Sequence, residues 1–164
     1  MRRYLLLFAA TAVGCFAVYW ITEVTGKFQS VNVLNARLSG VLLRLFGVAT
    51  ARSDTVLQFS HGGMEVISEC SGIYVAILFA AGVLAFPTTW RARAWGLGLG
   101  CATIFALNVV RLVTIGVVIA YRESLFPLVH EYLWQIGFVL VVATLYALWI
   151  DKLPGRPRPA KEGA

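Results

Sequence analysis

The sequence predicts an all-α integral membrane protein with four transmembrane helices, an external amphipathic helix and a small β-hairpin before the second span. Hydrophobic residues make up 59% of the 164 positions, charged residues only 13%, and the mean hydropathy is +0.78. A soluble domain usually carries about 25% charged residues, and the few charges here cluster between long apolar runs. A chain of this length forms one unit, so we predict a single polytopic membrane domain over residues 1–150.

Four apolar runs approach the length that a bilayer requires, at residues 4–22, 68–86, 94–121 and 132–150. A helix needs roughly 20 apolar residues to cross a ~30 Å hydrocarbon core, so the second run is near the lower limit. The first run could be a signal peptide, but it is longer than a usual signal core. It also lacks a small-residue cleavage site before Glu23, which favours a retained anchor.

The positions of the basic residues predict the orientation of the spans. They lie before the first span, between the second and third, and after the fourth: Arg2, Arg3, Arg91, Arg93, Lys152, Arg156, Arg158 and Lys161. Because basic residues concentrate on the cytoplasmic side, both termini are predicted to be cytoplasmic in a plasma (inner) membrane. The net charge of +6 therefore reports topology in a lipid bilayer and not nucleic-acid binding.

The outer segment, residues 23–67, begins with a predicted helix. Residues 30–48 alternate apolar and polar positions with roughly helical period, with Arg37 and Arg44 on the polar side. This pattern is typical of an amphipathic helix lying in the membrane interface. A fifth span is the alternative, but it would place Arg2 and Arg3 outside, against the charge bias.

A hairpin is predicted at the end of this segment. Residues 55–60 and 64–68 are rich in β-branched side chains and flank His61-Gly62-Gly63, which favours a two-stranded hairpin. The hairpin would lead the chain directly to Cys70, and His61 would be an exposed loop residue.

At the other end of the chain, residues 151–164 are predicted to be a disordered, basic, cytoplasmic tail.

The three cysteines differ in their surroundings. Cys15 and Cys101 lie within spans and are expected to be small packing residues. Since no CxxC pair or metal-ligand spacing is present, we expect no metal and no cofactor. Cys70 lies near an aqueous boundary at the start of a helix, where the helix N-terminus and a nearby cation favour the nucleophilic thiolate.

Arg111 is a charged residue inside the third span. Such a charge costs several kcal/mol, so an intramembrane arginine is by default a candidate functional residue. Asn108 and Thr114 lie three residues to either side and form one polar stripe with it. That stripe must face protein or water and not lipid.

Counting along the helices places three candidate residues at one level. With a rise of about 1.5 Å per residue from the inner ends of the spans, Cys70 lies about 24 Å, Arg111 about 26 Å and His130 about 30 Å along. All three converge near the outer leaflet. His130, at the mouth of the fourth span, is therefore a candidate acid or base, with His61 as its competitor.

These motifs resemble the exosortase/archaeosortase family of membrane transpeptidases. The similarity rests on Cys70-Ser71-Gly72 entering a span, Asn108-Val109-Val110-Arg111 inside the next span, and His130 before the last, within residues 30–150. Members are polytopic proteins thought to cleave a C-terminal sorting signal from exported proteins. That signal comprises a short motif, an apolar helix and a basic tail. Many members have additional spans, and this short chain is most similar to the compact forms such as exosortase H.

The resemblance also implies roles for individual residues. Cys70 would be the nucleophile, Arg111 the electrostatic stabiliser and His130 the general acid/base. Asn108, Ser71 and Gly72 would bind substrate or support the site. The implied partners are exported proteins that carry the sorting signal, and the acceptor could be water, a lipid amine or a glycan.

Two other classes of function remain open from the sequence. A non-catalytic subunit or assembly factor of a membrane complex would use Arg111 to pair with an intramembrane acid of its partner. A thiol-redox function is the weaker hypothesis, because Cys15 and Cys101 lie at other depths than Cys70 and cannot pair with it.

Overall fold

The computed structural model describes residues 2–26, 28–60 and 62–153, which are mostly helical and include a small antiparallel sheet. The helices are α1 Arg2–Val24, α2 Gln29–Leu45, α3 Ile73–Ala85, α4 Trp90–Arg122 and α5 Trp134–Asp151. The strands are β1 Ala51–Ser53, β2 Val56–Phe59 and β3 Gly62–Glu65. Two 3₁₀ turns, Ser68–Cys70 and Glu123–Leu125, and a π-helical turn, Leu128–Leu133, complete the path.

Within the described ranges, three helical stretches are long and apolar enough to cross a membrane: Leu5–Val24, Trp90–Leu125 and Leu128–Asp151. They agree with the first, third and fourth predicted spans. The second, predicted at 68–86, is helical only from Ile73, and its 13 residues reach about 20 Å. A full crossing of the ~30 Å core needs more, so length and composition support membrane embedding but not the count of four spans.

The short helix α3 lies among three longer ones, since it contacts α1, α4 and α5. On the α1 side, the Thr11 hydroxyl donates to the carbonyl oxygen of Ala81 at 3.3 Å. The hydroxyls of Tyr19 and Tyr74 are 3.2 Å apart, and their rings meet edge to face. Polar contacts thus join α1 to both the N-terminal and the C-terminal half of α3.

Helix α4 runs through two separate hydrophobic cores. The sheet-side core combines its C-terminal half with α2 and β2, through Leu43, Leu57, Phe59, Val113, Ile115 and Ile119. The bundle core combines its N-terminal half with α3 and α5, through Phe79, Val83, Ile104 and Phe138. Asn108 and Arg111 lie on α4 between Ile104 and Val113, so the polar stripe is at the junction of the two cores.

The predicted hairpin is present as β2 and β3, but its turn and its size differ from expectation. Phe59 pairs with Gly62, so the two glycines belong to β3 and not to the turn. His61 itself lies outside the described residues. A third strand, β1, extends the sheet by pairing with β2 and was not predicted.

The predicted amphipathic helix is α2, and its two faces are unusual. The buried face is small and largely polar, formed by Asn32, Asn35, Ala36, Ser39, Gly40 and Leu43. The opposite face exposes Leu34, Leu38, Val41 and Leu45. In a water-soluble protein the apolar face would point inward, so this arrangement favours contact between α2 and lipid.

At the C-terminal end, α5 continues to Asp151 and a turn follows at Lys152. The predicted disordered tail, 151–164, therefore begins within the helix. From residue 154 onward it lies outside the described residues.

Candidate active site

Cys70 ends the 3₁₀ turn Ser68–Cys70 that leads into α3. Its amide donates to the carbonyl oxygen of Ile67 at 2.9 Å. The hydroxyl of Ser71 donates to the carbonyl oxygen of Ser68 at 2.6 Å and closes the turn. The thiol is half-buried against the cluster of Ala36, Val66 and Leu112, so the turn holds Cys70 at a fixed place on α2 and α4.

Side chains from α1 and α2 fasten this turn. The Ser68 hydroxyl donates to Glu23 Oε1 at 2.6 Å and accepts from Asn32 Nδ2 at 3.1 Å. Ser68 is 5% exposed, and buried hydrogen bonds to a charged group are among the stronger ones in proteins. Glu23 and Asn32 were not among the predicted site residues, yet they fix the turn that carries Cys70.

Gly72 allows the chain to change direction between Cys70 and α3. It has φ +74°, a left-handed conformation that glycine adopts readily. A Cβ at this position would lie 3.2 Å from Asn108 Cβ. The backbone at Gly72 therefore packs directly on Asn108 of α4.

Asn108 is fully buried and belongs to a short polar chain. Its Nδ2 donates to Asn35 Oδ1 at 3.2 Å, and Asn35 Nδ2 donates to the carbonyl oxygen of Val31 at 3.1 Å. Like Ser71 and Gly72, Asn108 is buried. Burial favours a supporting role for these three residues over substrate contact.

Arg111 and His130 are brought together. Arg111 Nη2 is 3.3 Å from His130 Nε2. Because a guanidinium can only donate, His130 accepts at Nε2 and, as a neutral imidazole, carries its proton on Nδ1. The guanidinium also lies 5.7 Å from the ring centroid of Phe138, an arrangement that attracts a cation to the ring face.

His130 lies on the π-helical turn Leu128–Leu133. The sequence placed it ahead of the fourth span, whereas it lies two residues inside the helical stretch Leu128–Asp151. Its ring stacks on Phe126 with centroids 5.0 Å apart. Single π turns are rare and often occur at functional sites, but nothing in the composition of this segment signals one.

The electrostatic setting of Cys70 differs from the sequence expectation. Burial raises the pKa of the Cys70 thiol, the Arg111 cation lowers it and Glu69 raises it, and the net pKa lies above the ordinary value. Desolvation penalises the thiolate, and here it outweighs the nearby cation. Burial thus works against the thiolate at Cys70, and the Arg111 cation works in its favour.

Comparison with known proteins shows the family. A model of the transmembrane exosortase family (Exosortase_EpsH) matches residues 1–150. The chain belongs to the transmembrane exosortase family. Searches of curated proteins and of solved structures each returned no match. The match includes α1, so it extends beyond the residues on which the sequence resemblance rested.

An apolar groove of about 760 Å³ in this exosortase ends at Arg111 and His130. Its walls come from α1, α3 and α5 and include Phe8, Leu78 and Val142. Cys70 does not line it. Arg111 connects the two, because it lines the groove and is next in the chain to Leu112, which belongs to the cluster that Cys70 packs against.

The other cysteines of the exosortase lie on other elements than Cys70. Cys15 lies on α1, and Cys101 packs beside the bundle core. All three cysteines are unpaired. Within the described ranges, no three His, Cys, Asp or Glu side chains cluster as metal ligands, and the expected absence of a metal or cofactor stays a prediction.

Proposed function

We propose that this exosortase is a membrane-embedded cysteine transpeptidase or protease that processes the C-terminal sorting signals of exported proteins by acyl transfer through Cys70. One observation carries the proposal. Arg111 lies 3.3 Å from His130, and Cys70 packs against the cluster that contains Leu112, the residue next to Arg111, so a thiol, a cation and an imidazole occupy one junction of the fold. Family membership supports the same class of reaction.

The first chemical step forms a thioester. Cys70 Sγ attacks the backbone carbonyl carbon of the sorting motif, and the thiol proton passes to His130. The carbon–nitrogen bond then breaks, and His130 returns the proton to the leaving amine. Water or an amine acceptor subsequently attacks the thioester and regenerates the Cys70 thiol.

Arg111 serves this step as the electrostatic group. The oxygen of the tetrahedral intermediate carries a negative charge, and a fixed cation in a dry site stabilises such a charge strongly. A move of the guanidinium toward that oxygen also frees the Nε2 lone pair of His130. The imidazole can then accept the proton of Cys70.

The groove beside Arg111 is suited to the apolar part of the substrate. Apart from Arg111, His130, Glu131 and Gln135, its lining is aliphatic and aromatic, and it is open along its side. A sorting signal has its own apolar helix next to the cleaved motif. With that helix in the groove, the motif would lie beside Arg111, within reach of Cys70.

The proposal includes a topology. Helix α3 serves as the second of four spans, and the turn at Ser68–Cys70 lies at its outer end, at the membrane–water boundary. Both termini face the cytoplasm of a plasma (inner) membrane, and Cys70 faces outside. The positions of the basic residues support this orientation, because Arg91 and Arg93 lie in the first turn of α4, next to the loop that joins it to α3.

Co-expression of the exosortase with a protein that ends in a sorting signal tests the function. Cys70→Ala, Cys70→Ser, Arg111→Ala and His130→Ala should each stop the conversion to the shortened product on a gel, whereas Cys15→Ala and Cys101→Ala should process normally. A covalent adduct at Cys70, trapped and identified by mass spectrometry, would support the acyl-enzyme. Full processing by Cys70→Ala would overturn the proposal. Retained function without Cys70 and His130, but not without Arg111, would favour the assembly factor.

A further inference from the structure

A second cleft lies at the opposite end of α4 from the sheet and has no place in the proposed reaction. It has a volume of about 650 Å³ and lies between the first turns of α4 and the last turns of α5. Trp95 and Leu99 form one wall, and Leu148 and Trp149 form the other. The first three of these side chains are largely exposed, so the cleft is an open apolar slot.

Two glycines set the shape of this slot. Gly96 and Gly100 face α5 and α3 without a side chain, and a Cβ at Gly96 would clash with Trp149 and one at Gly100 with Phe79. Trp149 Nε1 donates to the carbonyl oxygen of Ala92 at 3.0 Å and joins the two helices at the base of the slot. The slot is therefore a built feature of the α4–α5 contact.

The rim of the slot is positively charged. Arg91 and Lys152 line it from the two helices, and no acidic side chain in the described ranges lines it with them. Asp151, next to Lys152 in the chain, is exposed and is not part of the lining. The nearby Arg93 is engaged elsewhere, since it donates to the carbonyl oxygen of Phe86 at 3.1 Å and lies 5.0 Å from the Trp90 ring.

We propose that this cleft binds one anionic phospholipid, with an acyl chain in the slot and the headgroup phosphate between Arg91 and Lys152. Charge complementarity decides the occupant, because two cations at the mouth of an apolar slot match a lipid with an anionic headgroup. Basic pockets between transmembrane helices at the bilayer surface are known to hold such headgroups. A zwitterionic lipid would fill the slot equally well but would gain less from the rim.

Native mass spectrometry of the full-length protein, released from detergent after incubation with phosphatidylglycerol or phosphatidylcholine of the same acyl chains, tests the site. One phosphatidylglycerol should remain bound at a concentration where phosphatidylcholine does not. R91Q/K152Q should weaken its retention about thirtyfold, given the attraction of each of the two basic side chains to an anionic surface. The control R52Q/R122Q removes the same charge from exposed positions at the other end of the fold and should retain the lipid.

A second variant keeps both charges and fills the slot. L99F/L148F places larger side chains on two exposed walls of the slot and should exclude the acyl chain. If R91Q/K152Q fails to insert correctly in the membrane, L99F/L148F still tests the proposal. Equal retention of the two lipids would mean ordinary surrounding lipid only and would overturn the proposal. Wild-type retention by both cleft variants, or an equal loss in R52Q/R122Q, would overturn it as well.

Discussion

Gly72 is the residue at which the Cys70 turn and α4 approach most closely. A side chain here would meet both a left-handed backbone and Asn108 at 3.2 Å. Gly72→Ala should lower the free energy of unfolding in detergent by at least about 1–2 kcal/mol, the cost of a left-handed conformation for an L-residue. The rate of substrate processing should also fall, by more than the loss of folded protein accounts for, because Cys70 is two residues away.

The control for this substitution is Gly98→Ala. Gly98 lies in α4 where a Cβ would meet nothing within 4 Å, and alanine is the better helix former by about 1 kcal/mol. Thermal unfolding of the two variants gives the comparison. Equal stability of Gly72→Ala and Gly98→Ala would contradict the proposed contact with Asn108.

The reactivity of Cys70 should depend on pH and on Arg111. Because burial holds the pKa of this thiol above the ordinary value, its alkylation should rise as pH increases, with a midpoint above the usual ~8.5. Arg111 lowers the pKa of Cys70, so Arg111→Gln should move the midpoint further upward. The midpoint is measured by iodoacetamide labelling at a series of pH values in a Cys15→Ala/Cys101→Ala background, with the labelled fraction determined by mass spectrometry.

Arg111→Lys is the matched variant because it keeps a positive charge near the thiol. Its midpoint should stay closer to that of the unsubstituted protein. A downward shift in Arg111→Gln would show that the cation is not acting on Cys70.

At the residue scale, the sequence pointed to candidate chemical groups but not to the residues that hold them in place. Helix counting brought Arg111 and His130 to one level, and they lie 3.3 Å apart. Glu23 and Asn32 reach Ser68 across 45 and 36 residues of chain, and Asn35 reaches Asn108 across 73. No local pattern encodes such pairs, because they depend on how α1 and α2 pack on the rest.

At the scale of elements, α2 and α4 are joined by the pair of Asn35 and Asn108. Both side chains are fully buried, so removing one leaves the other without its partner. Asn35→Ala and Asn108→Ala should each cost about 1–3 kcal/mol of unfolding free energy. The double variant should cost less than the sum, by at least about 0.5 kcal/mol.

Chemical or thermal unfolding in one detergent measures the stability of the four proteins in this double-mutant cycle: the unsubstituted protein, the two single variants and the double variant. Asn35→Ala combined with Thr103→Ala serves as the control, since the Thr103 hydroxyl bonds only within its own helix, to the Leu99 carbonyl oxygen. That combination should be additive. Additivity of Asn35→Ala with Asn108→Ala would show that the two amides do not act as a pair.

Sequence patterns predicted the long elements better than the short ones. Hydropathy located α1, α4 and α5 because their apolar runs are long. Strand β1 has three exposed residues and therefore shows no alternation. The start of α3 was placed too early, because hydropathy does not register the left-handed backbone of Gly72.

At the scale of the whole molecule, the exposed apolar face of α2 predicts how the protein is seated in lipid. In a background without Cys15, Cys70 and Cys101, Leu38→Cys should resist a membrane-impermeant maleimide, whereas Arg37→Cys should react from outside. The neighbouring positions differ because Leu38 lies on the apolar face and Arg37 beside it. Protection of both positions would instead indicate that α2 spans the membrane.

The same assay tests orientation. Arg52→Cys, in β1, should label in intact cells, and Arg91→Cys, in the first turn of α4, should label only after permeabilisation. Labelling of both from outside would contradict the four-span topology.

The two cores along α4 could not be predicted from the sequence, since hydropathy shows one apolar run where the fold has two sets of neighbours.

The π-helical turn at Leu128–Leu133 has a consequence for comparing this chain with its relatives. A π turn accommodates one residue more than the α-helix around it, and each α-helical residue turns the chain by about 100°. A relative that lacks the turn would carry a one-residue deletion here, and an ungapped alignment would pair its histidine with the wrong neighbour. Alignments of this segment should therefore be anchored on Phe126 and Phe138, which contact His130 and Arg111, with the gap placed between them.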